Sequence, residues 1–401
     1  VLQMGTAGTT AFTAQCMSVL DSGVIEKLRE KLFDVYIIET FDPCGMMLAH
    51  HIKPRSVILQ STTFLWQQQL DEVGISRELS YNPMRSLLTT GSLEEEFREP
   101  NGRVCRSIEA LFKHRFGPDF PSLREQTSRV TWVFTNSDPL YDFTVPTLYK
   151  VIPVPGRSSL HPRILIQNWK GILAKREKAV IISFGTLAKL NNMSPAFKLS
   201  FQKMFTSFPH ITFIIKYDDL EDEIAVKELS KVENLHLTKW MPQNDLLHDP
   251  HVVLFITHCG MGSVQELTLS GKPGLFIPLF GDQMRNALML EHAGNELHLD
   301  KADVGVSEKF IAAVKDALEN EKYKIRAMEI KVMLNGKPYS AKELLLKHVD
   351  FDAKYGPTAV MRPRSHDMTW IEYQNADVWL FIVSSIVLIA LLAIYILISL
   401  V

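Results

Sequence analysis

Short apolar runs alternate with amphipathic helical patterns through the second half of the chain, and this alternation sharply limits the possible folds. The runs occupy residues 179–184, 211–215, 235–237, 252–256 and 275–277. Segments such as AVIIS, VVLFI and GLFIP are continuously apolar, which is typical of parallel strands covered on both faces. The pattern therefore predicts βαβ units that build a doubly wound parallel sheet.

The first half shows the same alternation less regularly. Strands are predicted over 33–38, 56–60 and 131–136, a helix begins at Pro43, and residues 76–128 read as mainly helical with loops. Residues 151–164 contain three prolines, a glycine and two serines, which indicates a connection between domains. We expect an α/β protein with domains over 1–155 and 156–350.

Residues 378–401 form a run of 24 residues without charge. A helix of that length spans about 36 Å, whereas the hydrocarbon core of a bilayer is about 30 Å thick. A buried core helix rarely continues this far without a polar face. We expect a transmembrane helix over 378–401, preceded by a juxtamembrane segment over 351–377.

The charge balance and the cysteines exclude some classes of function. Lys and Arg total 43 and Asp and Glu total 45, so no net positive field would gather nucleic acid. Any anionic ligand must be held by a local site. Cys16, Cys44, Cys105 and Cys259 lack the spacing of paired ligands, so the pattern indicates neither a zinc site nor a disulfide framework. The first residues, VLQMGTAGTTAFTAQC, lack the features of a signal peptide.

The segment THCGMGS, residues 257–263, follows the VVLFI run and precedes a helical pattern over 264–270. A glycine-bearing turn that leads into a helix presents backbone N–H groups and the positive end of the helix dipole to an anion. The spacing matches neither GxGxxG nor GxxxxGK[ST], which argues against a dehydrogenase or a P-loop. A diphosphate site is one interpretation, and an ordinary structural turn is the other.

Residues with ligand-binding chemistry also follow three other runs. Trp240 could stack on a base, and the turn at Gly185 and Thr186 offers an amide and a hydroxyl to a phosphate. Asp282 and Gln283 together can accept from and donate to vicinal sugar hydroxyls. The alternatives are a core aromatic at Trp240, an ordinary turn at Gly185, and a helix cap at Asp282.

Residues 240–283, WMPQNDLLHDPHVVLFITHCGMGSVQELTLSGKPGLFIPLFGDQ, resemble the C-terminal signature of the UDP-glycosyltransferase family, particularly its membrane-bound UDP-glucuronosyltransferase branch. Residues 33–35 and 42–44 also resemble the strand and the Pro-Cys turn of the family's first half. With the apolar C-terminal run, the resemblance covers nearly the whole chain. It implies the GT-B fold, in which two Rossmann-like doubly wound domains face a cleft, plus a C-terminal transmembrane helix.

The resemblance implies roles for individual residues in a UDP-sugar site. Trp240 would stack on uracil, Gln243 would contact the nucleotide, and Glu266 would bind the ribose. Asp282 and Gln283 would hold the donor sugar. His258, with Ser263 and Thr186, would hold the diphosphate. The implied substrate-binding set is Gly185, Thr186, Trp240, Gln243, His258, Gly260, Ser263, Glu266, Asp282 and Gln283.

The resemblance also implies that the protein needs no metal and no cofactor, because the UDP-sugar is a co-substrate. A helix dipole, a histidine and hydroxyl donors can stabilise the charge of a departing diphosphate in place of a cation.

The chain departs from the family pattern in its phosphate turn and around the catalytic base. Gly262 stands where many relatives have Asn, and Glu39 stands at the position of the Asp that orients the base histidine. That histidine lies upstream in relatives, and this sequence has none before His50. His50 and His51 are adjacent on a covering helix, which favours structural roles. We therefore expect the base to be absent, as in a fragment, an incomplete gene product or a non-catalytic isoform.

These features predict an enzyme that transfers a glycosyl group, most simply glucuronosyl, from a UDP-sugar to a small lipophilic acceptor, with inversion and without a metal. The alternative is a non-catalytic, membrane-anchored isoform that binds UDP-sugar or has a regulatory role. The expected partners are the UDP-sugar, the acceptor and a membrane, with a homo- or hetero-oligomer possible and no nucleic acid. The resemblance implies a single-pass protein of the endoplasmic reticulum with lumenal catalytic domains.

Overall fold

A computed structural model describes residues 2–63, 73, 93–144, 147–156, 162–222, 227–294 and 296–399. Its core consists of two parallel sheets, each covered by helices. The predicted helical pattern over 76–128 lies partly outside the described residues, as do the last two residues of the predicted transmembrane run.

The first sheet has four parallel strands in chain order, β1–β2–β3–β4. The strands are β1 (Val35–Glu39), β2 (Ser56–Gln60), β3 (Val133–Thr135) and β4 (Val151–Pro153). The helices in this region are α1 (Leu2–Asp21), α2 (Val24–Arg29), α3 (Pro43–Ile52), α4 (Leu93–Phe116) and α5 (Leu123–Ser128). The segment over 151–164 was predicted as a connection, but its first three residues pair with β3 and complete the sheet.

The second sheet has six parallel strands in the order β10–β9–β8–β5–β6–β7. They are β5 (Lys178–Ser183), β6 (Ile211–Lys216), β7 (Leu235–Thr238), β8 (Val252–Thr257), β9 (Gly274–Phe276) and β10 (Glu296–His298). Strand β6 pairs with one side of β5, and the chain later returns so that β8 pairs with the other side of β5. The topological switch point, where doubly wound sheets bind ligands, therefore lies between β5 and β8.

Helices cover both faces of the second sheet. They are α6 (Gln167–Leu173), α7 (Pro195–Ser207), α8 (Gln243–Leu247), α9 (Met261–Ser270), α10 (Gln283–Ala293), α11 (Lys301–Val304), α12 (Ser307–Glu319) and α13 (Glu321–Asn335). Val180 and Ile182 pack into one core, whereas Ala179 and Ile181 of the same strand pack into the core on the opposite face. Burial on both faces explains why the strands read as uninterrupted apolar runs.

Helix α14 (Ala341–Tyr355) crosses back from the second sheet to the first. Its residues Ala341, Leu344, Leu345 and Val349 pack against buried side chains of the first sheet. The sequence placed residues 341–350 in the second domain. By its contacts, this helix instead covers the first sheet, while the predicted boundary near residue 155 stays a prediction.

The chain finishes with α15 (Trp370–Tyr373) and α16 (Ala376–Ser399). Helix α16 has 24 residues, a mean hydropathy of 3.0 and no burial against the rest of the chain. By length and composition it could cross a membrane, as the sequence predicted. The aromatic Trp379 lies near its start and is 63% exposed.

The cysteines differ from the sequence expectation. Cys16 of α1 and Cys44 of α3 form a disulfide with their Cα atoms 5.8 Å apart. Both side chains are buried in the core of the first domain. The expectation of no disulfide framework was wrong for this pair: 27 residues separate the partners, and they meet because α1 and α3 both pack against α4.

Candidate functional site

A cavity of about 750 Å³ opens at the carboxyl edge of the second sheet. The turns after β5 and β8, on either side of the switch point, form its floor. All ten residues predicted to bind a UDP-sugar line it: Gly185, Thr186, Trp240, Gln243, His258, Gly260, Ser263, Glu266, Asp282 and Gln283. Parallel strands end at the same edge of a sheet, so residues that follow separate strands converge there.

His258 lies at the centre of the floor, between two glycines. A Cβ atom built on either Gly185 or Gly260 would lie 2.8 Å from His258 Nε2. Gly185 also has a φ of +77°, a conformation that side chains disfavour. His258 Nδ1 lies 3.2 Å from Thr257 Oγ1. Burial lowers the pKa of His258 to about 4, so the imidazole is neutral at pH 7 and can donate one hydrogen bond to an anion.

Helix α9 begins at the cavity. Gly260 is its N-cap and provides no side-chain hydrogen bond to the first turn, so the first N–H groups are available to a ligand. The preceding Cys259 has a φ of +64°, which is unusual for a side-chain-bearing residue. Asn286 Nδ2 donates to Cys259 O at 3.0 Å and holds this turn in place. This arrangement, which we call the anion site, can hold an anion at a helix N-terminus.

Trp240, Gln243 and Glu266 form one wall of the cavity. Trp240 is 69% exposed, so the core-aromatic alternative is excluded and its ring face is available for stacking. Gln243 Nε2 donates to Glu266 Oε2 at 2.6 Å and lies 3.4 Å from Ser263 Oγ. Burial raises the pKa of Glu266, while the Gln243 hydrogen bond opposes that rise. A carboxylate held in this way can accept hydrogen bonds from two neighbouring hydroxyls.

Asp282 and Gln283 lie at the start of α10, on the opposite wall. Asp282 occupies the N-cap position but makes no side-chain cap. Its Oδ2 instead accepts from Asn286 Nδ2 at 2.8 Å, and burial raises its pKa. Gln283 Oε1 accepts from Leu279 N at 2.8 Å and Phe280 N at 3.0 Å, which fixes the amide and leaves Nε2 for a ligand. The helix-cap alternative for Asp282 is therefore not what the geometry shows.

Sequence reasoning missed Lys216, which also lines the cavity. Its Nζ donates to Gly185 O at 2.9 Å and to Asp218 Oδ1 at 2.8 Å, and the residue is 8% exposed. Lys216 thereby holds the turn that carries Gly185 and adds positive charge near the anion site. It is the last residue of β6 and directly follows Ile215, where the predicted strand ended, so the rule that functional residues follow the strands pointed to it.

Glu39 ends β1 at the carboxyl edge of the first sheet and does not line the cavity. Its Oε1 accepts from Thr62 N at 3.2 Å, which connects the ends of β1 and β2. His50 and His51 lie on α3 and make ring contacts with Phe120 and Phe116. These contacts agree with the structural roles expected for the two histidines.

The carboxyl edge of the first sheet contacts the second domain beside the cavity. Asn136, which follows β3, accepts a hydrogen bond from Gln265 of α9. Asp142 forms an ion pair with Arg285 of α10. The helices that carry the anion site are therefore fixed against the domain that faces them across the cleft.

Within the described part of the chain, no group of three or more His, Cys, Asp or Glu side chains could hold a metal ion. The predicted metal independence stays a prediction, because this finding does not test the reaction.

Comparison with known proteins extends these observations. Residues 2–400 match the sequence profile of a family described as UDP-glucoronosyl and UDP-glucosyl transferase. The chain is 28% identical to human UDP-glucuronosyltransferase 1A7 over 393 residues, which cover 94% of this chain and 72% of that protein. It is 25% identical to UDP-glucuronosyltransferase 3A1 of Bos taurus over 376 residues, or 90% of this chain and 69% of the relative.

Solved structures share the architecture. The glycotransferase of kitacinnamycin superposes with a TM-score of 0.59 at 19% identity, covering 84% of this chain and 82% of its own. A UDP-glucose:anthocyanidin 3-O-glucosyltransferase in complex with UDP gives a TM-score of 0.55 at 16% identity, covering 80% and 75%. At these identities the likeness shows the fold alone, and it confirms the predicted GT-B arrangement.

Proposed function

Because the chain belongs to the UDP-glucuronosyl and UDP-glucosyl transferase family and is a UDP-glycosyltransferase, we propose that it transfers a glucuronosyl group from UDP-glucuronate to a small lipophilic acceptor. The transfer inverts the anomeric carbon and needs no metal. One observation carries the proposal: ten residues suited to bind a base, a ribose, a diphosphate and a sugar line one cavity at the switch point of the second sheet. The names of the relatives support the glucuronosyl donor.

The donor lies along the cavity from Trp240 to Asp282. Trp240 stacks on uracil, and the Gln243–Glu266 pair binds the ribose hydroxyls. The diphosphate rests on the N-terminus of α9, where His258, Ser263 and Thr186 donate hydrogen bonds. These groups are in place before the reaction, so they stabilise the charge of the departing diphosphate without rearranging.

In the transfer step, the acceptor oxygen forms a bond to the anomeric carbon while the bond from that carbon to the diphosphate oxygen breaks. This sequence has no histidine before His50, so the acceptor proton passes to water, and UDP leaves with the bonding electrons. The family resemblance supports Glu39, at the end of β1, as the residue that would orient a base histidine. Asp282 and Gln283 hold the sugar hydroxyls, which fixes the angle of attack.

We further propose that α16 anchors the protein in the endoplasmic reticulum membrane, with both domains on the lumenal side. The length and hydropathy of α16 support the anchor. The Cys16–Cys44 disulfide supports the lumenal side, because disulfides persist in oxidising compartments and are rare in the cytosol.

The test uses the full chain purified in a neutral detergent. UDP-glucuronate or UDP-glucose is offered with a panel of lipophilic phenols and alcohols, UDP release is measured, and the product's anomeric configuration is determined by NMR. We expect transfer from UDP-glucuronate with inversion, unchanged by EDTA, at a rate about 10²–10⁴-fold lower than general-base catalysis would give, and weaker transfer still by the Glu266→Ala variant.

Other outcomes of this test contradict particular parts of the proposal. Transfer from UDP-glucose alone would contradict the donor, and retention of configuration would contradict the single displacement. UDP binding by calorimetry without transfer from any donor would instead support the non-catalytic alternative.

A further inference from the structure

A second cavity, of about 290 Å³, lies at the amino edge of the first sheet, away from the donor site. The end of α3, the start of β2 and the end of α5 form its walls. The strands of this sheet are up to five residues long, which is about 16 Å, so the sheet itself separates this cavity from the edge that faces the cleft. We call it the basic pocket.

Three permanent cations line the basic pocket: Lys53, Arg55 and Arg129. No Asp or Glu is among the residues that form its lining. Glu125 lies outside the pocket lining and forms an ion pair with Arg129, with 2.7 Å between Oε1 and Nη2. Both side chains are about half exposed, so this ion pair is weak. Besides burial, the charges of Arg129 and Lys53 lower the pKa of His50 in the same pocket. The pocket thus presents concentrated positive charge to a ligand.

The segment over 356–367, which we call the strap, runs beside the basic pocket. Pro357 of the strap lines the pocket. Arg362 Nε donates to Ser128 Oγ at 3.2 Å, and Arg124 Nη2 donates to Ser365 O at 3.2 Å, so both contacts fix the strap to α5. Arg55 donates to the carbonyls of Ala353 and Lys354 at the end of α14, each at 3.0 Å.

The strap and the last turn of α14, which precedes it, contain both exposed apolar side chains and further cations. Val360 is 87% exposed and Tyr355 is 59% exposed. Lys354, Arg362 and Arg364 are also exposed. Apolar and aromatic side chains among Lys and Arg are typical of segments that lie at a membrane surface.

The strap is also close to the apolar helix in the chain. Nine residues separate His366 from Ala376, where α16 begins. Fully extended, the ten Cα–Cα steps between them span at most about 36 Å, and the helical turn α15 shortens this distance. A bilayer that holds α16 therefore lies within reach of the strap and of the basic pocket.

From this arrangement, we propose that the basic pocket binds the phosphate of an anionic phospholipid headgroup, with the strap lying on the bilayer surface. The pocket supplies three cations around a space large enough for a phosphodiester. The exposed Tyr355 and Val360 lie two and three residues along the chain from Pro357, which lines the pocket, and a free anion would gain nothing from such apolar side chains. The neighbouring helix keeps the pocket next to the lipid surface.

The test measures lipid binding by the full chain in a neutral detergent, with native mass spectrometry of added short-chain lipids. The probes are dihexanoyl phosphatidylglycerol, dihexanoyl phosphatidylcholine and inorganic phosphate. The test variant is Lys53→Ala with Arg129→Ala. The matched control is Lys203→Ala with Lys347→Ala, and neither lysine lines the basic pocket. Lys203 is exposed, and Lys347 belongs to a half-exposed i,i+4 ion pair.

We expect the wild-type chain to bind phosphatidylglycerol at least tenfold more tightly than phosphatidylcholine. A lysine or arginine near an anionic surface contributes about fivefold in affinity, so the test variant should bind phosphatidylglycerol about 10- to 30-fold more weakly. The control variant should bind like the wild-type chain. UDP binding by both variants verifies that they fold, and this readout is independent of the lipid result.

Three outcomes would overturn the proposal. Equal affinity for the two lipids would show that the headgroup charge is not recognised. Equal losses in the test and control variants would place the binding elsewhere. Inorganic phosphate binding as tightly as phosphatidylglycerol would identify a site for a free anion, in which the membrane has no part.

Discussion

Gly260→Ala tests whether His258 holds the diphosphate. Gly260 has a φ of −63° and a ψ of 148°, which alanine adopts without strain. Its new Cβ, however, would lie 2.8 Å from His258 Nε2 and 3.1 Å from Cε1, whereas such atoms normally approach to about 3.5 Å. The ring has little room to shift, because Gly185 also lies close to the same ring atoms. It must therefore rotate out of the position from which Nε2 reaches the diphosphate.

The expected loss is that of one hydrogen bond to a charged group, about 1.5–3 kcal/mol, or 10- to 150-fold in UDP affinity. Isothermal titration calorimetry with UDP measures it for Gly260→Ala, His258→Ala and the double variant. If the substitution acts through the ring, the double variant binds UDP no more weakly than His258→Ala alone.

The matched control is Gly171→Ala on the exposed face of α6, where a new Cβ meets no atom within 4 Å. It should leave UDP affinity unchanged and stabilise the fold by about 0.5–1 kcal/mol. Additive losses in the double variant would show that the Cβ obstructs the ligand directly. UDP binding by Gly260→Ala within twofold of wild type would refute the placement of the imidazole.

Four further predictions concern other parts of the molecule. Glu266→Ala should weaken UDP binding, whereas Asp282→Ala should weaken only UDP-sugar binding; equal losses of UDP affinity by calorimetry would contradict the two roles. Burial holds the pKa of His258 at about 4, against about 6.5 when unfolded, so the free energy of unfolding falls by roughly 2 kcal/mol between pH 7 and pH 4.5. In urea titrations at the two pH values, the free energy of unfolding of His258→Gln should fall by less, and a fall identical to that of the wild-type chain would contradict this. Cys16→Ser opens a cross-link between residues 28 apart and should cost about 3 kcal/mol, and reductant should then have no further effect. Deleting 376–401 should release the protein from membranes, and full retention after a salt wash would show another anchor.

The donor-binding half could be predicted from the sequence to within one or two residues. Its strands are buried on both faces, so each reads as an apolar run, and the functional residues follow those runs directly. Lys216 was missed although it directly follows the predicted strand over 211–215.

In the first half, three strands and the helix at Pro43 were predicted, but other features were not, because they depend on contacts between distant residues. The Cys16–Cys44 disulfide joins helices that have no shared pattern, and β4 has only three residues, one of them proline. Helix α14 carries the pattern of an ordinary amphipathic helix, and nothing in it specifies which sheet it covers. Glu39 matched a family position, but the sequence did not show that it binds the backbone of Thr62.

Because α14 crosses back to the first sheet, the segment that leads to α16 is attached to the first domain and not directly to the second. The donor-site helices α9 and α10 belong to the second domain, whereas the segment leading to α16 packs on the first. Ser56 of β2 donates to the buried Asp352 of α14 at 2.7 Å, and Arg55 holds the end of the same helix. The segment that leads to α16 is therefore fixed to the first domain. The second domain contacts the first through the buried side chains of Tyr141 and Phe143, which pack into the core that contains residues of α9 and α10, and through the polar contacts of Gln265 and Arg285. The donor-site helices are therefore connected to α16 by way of the first domain.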